Sequence, residues 1–572
     1  MVAPMDRRKF LTGSAKAAAA VAAVGAGGSL LAACGGSSGG SKKSANNTPS
    51  TNAANIGISS ETPRAGGTLK MGMWSEIDGF DPAANHWDAT GLIYAHTIYD
   101  ALGILMDDGT VAPYLAKSIE HNADYTVWTI TARDGIKFHD GEAFDGAAIV
   151  ANVTTMQKSA LAGPALLNLK SAAVSPSDPQ AAVLTMHESW VPFDTYLTGA
   201  IGGQMAYMVS PAAIKKGNVS TQPVGTGPFI FVEWKPNDHL SVKKNPTYWQ
   251  QGKPHLDAIE FRPIADSQSR ENAFKAGDVD IIMATSADNV LDFKADKNVD
   301  FLTNTMVKVI GEPSPVFFQV NCVSEPLKDV RLRQALAYAT DQAKLVKVAE
   351  KGVGEYPVSG PWPKGNVYHT DTGYPTTPDT AKAKQLVDAW SKDNGGKKPA
   401  FHVGSTPDPS TLQLVTLAQA MWNAVGFDVQ IDQVEQAQYI TKALVGDYDC
   451  YIWTQFACPD PDANYIWWST LTVGKVGALS LNFARNSDEE IQKQLEIGRT
   501  STDQTKRVAA YQEISKLFAK DLPYIWIYFP ESGIASSPKV QNWAKTQTPE
   551  GKPAANIFSN QSPYTVEWWL KA

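Results

Sequence analysis

Leu412-Gln413-Leu414-Val415-Thr416-Leu417-Ala418-Gln419-Ala420-Met421-Trp422-Asn423-Ala424-Val425-Gly426-Phe427-Asp428-Val429-Gln430-Ile431 changes its hydrophobic period part-way along. Leu412, Val415, Ala418 and Trp422 recur at the spacing of one helix face. Gly426 stops that pattern, and Phe427, Val429 and Ile431 then alternate with polar residues, as in a half-buried strand. A helix delivered straight into a strand is the repeating unit of an α/β fold.

The same alternation extends upstream. Residues 316–321 read as a strand, and Asp329 caps a helix that the pattern carries to about residue 351. Pro378-Asp379-Thr380 opens another helix, with apolar positions at Ala383, Leu386, Val387 and Trp390. Near the start of the folded region, Leu69-Lys70-Met71-Gly72-Met73-Trp74 alternates as a strand, and Phe80 to Trp87 reads as a loop. An apolar helix is predicted over 89–105, a strand over 128–132 and a helix over 145–156 capped by Asp145. In Pro223-Val224-Gly225-Thr226-Gly227-Pro228-Phe229, the glycines allow dihedrals closed to other residues and Pro228 fixes the exit into a strand.

The chain has 572 residues, 43% hydrophobic and 19% charged, enough for three or four units or two large lobes with sizeable cores. A net charge of −8 supplies no basic footprint for nucleic acid. Three cysteines lie in the folded region, Cys322, Cys450 and Cys458, so one disulfide at most can form. Cys450 and Cys458 could pair outside the cytoplasm, with free buried thiols as the default.

The N-terminus places that region. Asp6-Arg7-Arg8-Lys9-Phe10-Leu11 precedes an Ala- and Gly-rich span that ends Leu31-Ala32-Ala33-Cys34. A basic start, a weakly apolar middle and small residues before a cut site mark an export signal, and the arginine pair marks the twin-arginine route. A membrane-spanning helix fits less well, because Lys16, Gly25, Gly27 and Gly28 dilute a run made largely of alanine. The final tetrapeptide resembles a bacterial lipobox, in which the Cys34 sulfur receives a diacylglyceryl group and becomes the mature N-terminus. Residues 1–34 are therefore read as a lipoprotein signal and 35–65 as a disordered Ser/Gly/Asn/Thr tether. The expected location is the outer face of the cytoplasmic membrane, where no ATP or NADH is supplied.

Motifs for chemistry are lacking. Gly-x-Ser-x-Gly occurs only within Gly35 to Gly40, in the tether, where no strand–turn–helix elbow can form. His187-Glu188 has Val191 where a zinc protease would place its second histidine. There is no Cys-x-x-Cys, and no two of the nine histidines are three or four apart. His139-Asp140-Gly141 reads as a turn histidine. No catalytic residue, metal ligand or cofactor is expected. An exported hydrolase, which needs a nucleophile–base pair or a carboxylate dyad, stays as the alternative from another class.

Several motifs, in order, carry a resemblance. Leu115-Ala116-Lys117-Ser118, Trp128 to Arg133 and Gly135-Ile136-Lys137-Phe138-His139-Asp140-Gly141 resemble the signature of the family 5 extracellular solute-binding proteins. The Gly225 to Phe229 turn, Asn245-Pro246-Thr247-Tyr248-Trp249, Gly277-Asp278-Val279-Asp280 and Asp329 to Leu336 are similar to later motifs of that family. The resemblance, from about Gly66 to the C-terminus, implies a two-lobed periplasmic-binding-protein-like α/β fold with an enlarged first lobe. Lobe I would comprise 66–315 and 531–572, with an inserted subdomain at about 104–222. Lobe II would comprise 316–530, with 316–321 and 523–529 as hinge strands. It also implies a monomeric receptor that captures a small solute and presents it to an ABC permease. A sensor or chaperone on the same scaffold is a further alternative.

The resemblance also nominates the cargo site. Peptide-binding members place an aspartate about three residues before an Asp-Pro-Asp turn, here Asp460-Pro461-Asp462, to pair with a free ammonium; this chain has Ala457. Asp460 or Asp462 could shift to serve, although turn carboxylates usually bind nearby amides. Trp453, Gln455 and Phe456 beside it, and Trp362, would supply walls for sugar or apolar cargo; Asn85, His86 and Trp87 are weaker candidates. Peptide is the first expectation for cargo, and oligosaccharide or another small organic solute the second.

Overall fold

The computed structural model describes residues 55–85, 87–199, 204–310, 314–454, 458–560 and 563–571. The leader, Cys34, most of the tether, His86, Gln455, Phe456 and Ala457 lie outside the described residues.

Three sheets organise the chain. The largest has seven strands in the order Asp300–Thr303, Gly533–Ser536, Ile281–Ala284, Thr68–Met73, Ala258–Pro263, His239–Lys244, Phe229–Lys235. Thr68–Met73 runs parallel to both Ala258–Pro263 and Ile281–Ala284, while Gly533–Ser536 returns antiparallel from the far end of the chain. A second sheet has five strands, Asp428–Gln433, Ala400–Ser405, Cys450–Thr454, Val316–Val320 and Tyr524–Tyr528. A third, antiparallel sheet is formed by Ala116–His121, Val127–Ala132, Ala181–Met186 and Leu169–Val174.

Burial follows the residue pattern. Every residue of Val316–Val320 and Tyr524–Tyr528 is buried, as expected of apolar strands covered on both faces. In Val127–Ala132 only Trp128, Ile130 and Ala132 are buried, so one face meets a core and the other is partly solvated. The opening stretch folds as read: helix Pro409–Ala424 leads into strand Asp428–Gln433. Asp408 caps the helix through the Thr411 amide, at 2.8 Å.

Two expected helices are shorter than their apolar patterns. The helix predicted over 89–105 ends at Ile98, and residues 103–105 form a strand instead. Its end is taken by tertiary partners: the Ile98 carbonyl accepts the Gly227 N–H at 2.9 Å, and Asp100 is held by side chains from residues 248 and 249. The helix from Asp329 divides into Val330–Ala339 and Gln342–Ala349. Thr340 is extended, its hydroxyl donates back to the Leu336 carbonyl, and Asp341 caps the second helix through the Lys344 amide.

The glycine turn is also corrected. Gly225 and Gly227 are absent from the positive-φ glycines among the described residues; they are needed for space. A Cβ on Gly227 would lie 2.5 Å from the Ile98 carbonyl carbon and 2.8 Å from the Thr97 oxygen. Around this contact three sequence motifs interlock. His139 donates its backbone N–H to Gly225, and its Nε2 lies 2.9 Å from the Gly227 carbonyl. Asn245 donates its side-chain amide to that same carbonyl at 3.1 Å. The motifs therefore hold one backbone junction, which explains their residue types without any ligand.

Asp100 is the buried end of that junction. Its carboxylate accepts Tyr248 Oη at 3.0 Å and Trp249 Nε1 at 2.8 Å. Burial pushes its pKa up from 3.8 to about 7, against the pull of those two donors. The folded chain thus holds this proton more tightly than the unfolded chain. The associated stability is full below about pH 4 and is lost as pH rises through about 7. Asp100→Asn removes the titration, so the difference in unfolding free energy between wild type and variant is expected to fall across this window. The change between pH 4.5 and 7.5 is on the order of 3 kcal/mol, checked by urea unfolding at those two values.

Cys322 and Cys450 are free thiols. Among the described residues no helix is long and apolar enough to cross a membrane.

Candidate functional site

Strands Ala400–Ser405, Asp428–Gln433 and Cys450–Thr454 run parallel, so Ser405, Gln433 and Thr454 all emerge at one edge of the five-stranded sheet. In the seven-stranded sheet the parallel strands likewise end together, at Met73, Pro263 and Ala284. Loops beyond the carboxyl ends of such strands form the usual ligand crevice of open α/β sheets.

One arginine records the approach of these edges. Arg270, 1% exposed, donates to the Ile264, Ala265 and Met283 carbonyls and to Thr285, tying two strand ends of the larger sheet. Burial lowers its pKa to about 10, opposed by Asp266 and by Asp408, which lies just past the end of Ala400–Ser405.

Trp453 is the penultimate residue of its strand and is half-buried. Its ring lies parallel to Tyr439 at 5.6 Å, and Tyr439 in turn stacks on Tyr451 at 3.9 Å. Tyr439 is pinned by its hydroxyl, which donates to the Ile452 and Gly404 carbonyls. Phe483 meets Trp453 edge-on at 5.3 Å. The indole is thus held rigidly just before residues 455–457, at the strand edge where the fold favours a ligand.

Other nominated residues serve the interior. Trp362 is 2% exposed, and its ring packs against Tyr368, Trp468 and Tyr511. Trp87 is buried, donates Nε1 to the Gly79 carbonyl at 2.9 Å and meets Tyr207 edge-on. Asn85 uses its whole amide within its loop: Oδ1 accepts from the Asp81 amide and Ser220 Oγ, while Nδ2 donates to the Asp78 carbonyl. Asp460 is buried against Arg507, whose Nη2 lies 2.7 Å from both carboxylate oxygens, and it also accepts the Asp462 amide. These placements share a cause. Large rings and short polar side chains on loops find partners locally before they can face solvent.

The neighbouring acid is equally committed. Asp462 is fully buried and accepts Arg499 Nε at 2.9 Å, Trp190 Nε1 at 2.8 Å and Tyr196 Oη at 3.2 Å. Arg499 lies over the Tyr465 ring at 3.6 Å and over Trp190 at 4.6 Å. Nothing in the sequence signalled this group, because its members come from residues 190, 196, 462 and 499. Asp194 borders it, and burial together with the Asp460 charge raises its pKa to about 6. Among the described residues, no cluster of three His, Cys, Asp or Glu side chains is placed to hold a metal ion.

A sequence-family model described as bacterial extracellular solute-binding proteins, family 5 Middle, matches residues 110–475. The chain is 26% identical over 492 residues to the probable D,D-dipeptide-binding periplasmic protein DdpA of Escherichia coli K12, covering 83% of this chain and 91% of that one. It is 25% identical over 480 residues to the glutathione-binding protein GsiB of Pectobacterium atrosepticum, with coverages of 82% and 89%. Among solved structures, the binding protein AgaA of A. tumefaciens R10, in complex with agropinic acid, superposes with a TM-score of 0.76 at 25% identity. That match covers 88% of this chain and 99% of AgaA.

Proposed function

The chain belongs to family 5 of the bacterial extracellular solute-binding proteins, with their two-lobed fold and their task of delivering small solutes to an ABC importer, and from that premise we propose how it is anchored and what it carries. It is a lipoprotein tethered through Cys34 to the outer face of the cytoplasmic membrane. It acts as a monomer, hands its solute to a membrane permease and performs no chemistry of its own. Lobe I is 66–315 with 531–572, including the insert at about 104–222, and lobe II is 316–530. The division is supported by the strand order: the seven-stranded sheet is left after Thr303, Val316 opens the five-stranded sheet, and the seven-stranded sheet is rejoined at Gly533 after Tyr528. These crossings are bonded to each other: Asn304 N–H donates to the Ser532 carbonyl, and Asn304 Nδ2 to the Pro530 carbonyl.

We infer that the cargo is held without an ion pair to a free ammonium at the end of Cys450–Thr454. The supporting observation is that both acids of the Asp460-Pro461-Asp462 turn are neutralised internally, by Arg507 and Arg499. Residues 455–457 are Gln, Phe and Ala, so they add no carboxylate. A desolvated ammonium needs a charge partner, whereas a carboxylate-bearing, sugar-like or amide-rich solute can be held by an aromatic wall and neutral donors. AgaA, which holds agropinic acid, lends this reading a relative. Peptide cargo, the first expectation from the resemblance, becomes the second reading, favoured by the match to DdpA.

Native mass spectrometry of the protein without its leader and tether, before and after exposure to a mixed peptide pool and to a pool of sugars and organic acids, tests this. A discrete adduct from the second pool is expected. A ladder of peptide masses, lost on N-terminal acetylation of the peptides, would overturn it.

Two variants test the parts. Trp453→Ala is expected to weaken binding of the captured solute about fivefold, read by calorimetry at unchanged melting temperature. Cys34→Ala is expected to abolish acylation, so that the lipid mass disappears and the protein leaves the membrane fraction.

A further inference from the structure

The four-stranded layer, residues 116–186, is continuous in sequence with the seven-stranded sheet, yet one corner of it meets residues packed on the five-stranded sheet. Trp190 and Tyr196, just after strand Ala181–Met186, reach Asp462 and Arg499 there. We propose that Trp190 and Tyr196 are the plug, and Asp462, Arg499 and Tyr465 the socket, of a latch that is made when the solute cleft closes and released when it opens. The proposal rests on the reading of this protein as a cleft-closing solute receptor.

Three features of the contact carry it. First, the socket is complete without the plug. Arg499 Nε and Nη2 lie 2.9 and 3.2 Å from Asp462 Oδ1 and Oδ2, and the Tyr465 ring lies under the guanidinium at 3.6 Å. Both charges belong to one side, so separation leaves neither of them alone, which is the situation that makes a broken buried ion pair costly.

Second, the bonds that cross are ones that water replaces readily. Trp190 Nε1 donates to Asp462 Oδ2, Tyr196 Oη donates to the Asp462 carbonyl at 2.8 Å, and the Val191 amide donates to the Arg499 carbonyl at 3.0 Å. Arg499 Nη2 returns a longer bond to Tyr196 Oη at 3.4 Å. Each of these groups finds an equivalent partner in water when the surfaces part.

Third, the plug is held on its own side. The Trp190 amide donates to the Tyr125 carbonyl at 3.1 Å, and the Trp190 ring packs against Phe193 and Tyr196, both at 5.0 Å. Two preformed surfaces joined by a few hydrogen bonds, a cation over an aromatic ring and the apolar contacts of one shared cluster suit repeated docking. Asp462 of the socket follows Trp453 by nine residues, so the latch is close in sequence to the cargo end of that strand.

Amide hydrogen exchange on the whole protein, without added solute, reads the latch directly through Val191, whose N–H crosses it. The Val191 amide is expected to be protected at least tenfold less than the amides of Ala181–Met186, because each opening frees it without unfolding the layer. Tyr196→Phe is expected to accelerate Val191 exchange about fivefold while leaving Ala181–Met186 unchanged. Equal protection of Val191 and the strand, or acceleration of both together in the variant, would mean a permanent shared core and would overturn the latch. Should Tyr196→Phe fail to fold, the wild-type comparison still decides. The measurement needs no cargo, so failure to bind any solute would count against the receptor reading and not against the latch.

Discussion

Replacing Gly227 by alanine is expected to destabilise the protein by about 3 kcal/mol, with a matching loss of expression at 37 °C. The added Cβ meets backbone on every near side: the Ile98 carbonyl carbon at 2.5 Å, its oxygen at 2.6 Å and the Thr97 oxygen at 2.8 Å. No rotamer change relieves a clash with main chain. The helix end Ala89–Ile98 or the turn itself must move, and either motion lengthens the Gly227 N–H to Ile98 bond and disturbs the His139 and Asn245 contacts to the Gly227 carbonyl. Gly135→Ala provides the contrast. Gly135 has φ +78 and nothing within 4 Å of the place a Cβ would take, so the cost is conformational and about 1 kcal/mol. Equilibrium urea unfolding of both variants separates crowding from backbone strain. Equal losses would show that the motif is conformational after all.

Asp462→Ala is expected to cost about 3 to 5 kcal/mol, because it leaves Arg499 buried without its partner. The guanidinium is enclosed by Tyr465 and Trp190, and the carboxylate is its only acidic partner in the ion pairs described. Arg499→Met should be costly for the reciprocal reason. The double variant Asp462→Ala/Arg499→Met should cost clearly less than the sum of the two, since it leaves no lone charge. Additive losses in urea unfolding would mean that the two side chains do not act as a pair. The same cycle bears on cargo: a pair this strongly coupled does not release Asp462 to a ligand ammonium.

Much of the fold was legible because periodicity is a local property. The helix–strand succession from Leu412 to Ile431, the caps at Asp145 and Asp329, and the one-sided strand around Trp128 follow from the spacing of apolar residues and from short-range hydrogen bonding. Where tertiary contacts compete with local preference, the pattern misled. The apolar run after Ile98 is buried against other elements and not wound into a helix, and the helix after Asp329 is cut at Thr340 by a side chain that bonds its own backbone.

The site was less legible, for the same reason in reverse. Trp453 stood out through the resemblance, which places it in the segment leading to the cleft. Trp362 and Trp87 were nominated by residue type and Asp460 by its place in the turn that resembles the family's; the two rings are buried and Asp460 is paired with Arg507.

The sequence by itself determined the α/β class and the order of motifs, since each is written in residue types and spacings. Only the tertiary structure decided why Gly227 must be glycine, and which carboxylates already have arginines. Both depend on groups more than a hundred residues apart, or on separate elements, arriving within a few ångströms. Hydrophobic period records which face is buried, but not which neighbour it will meet.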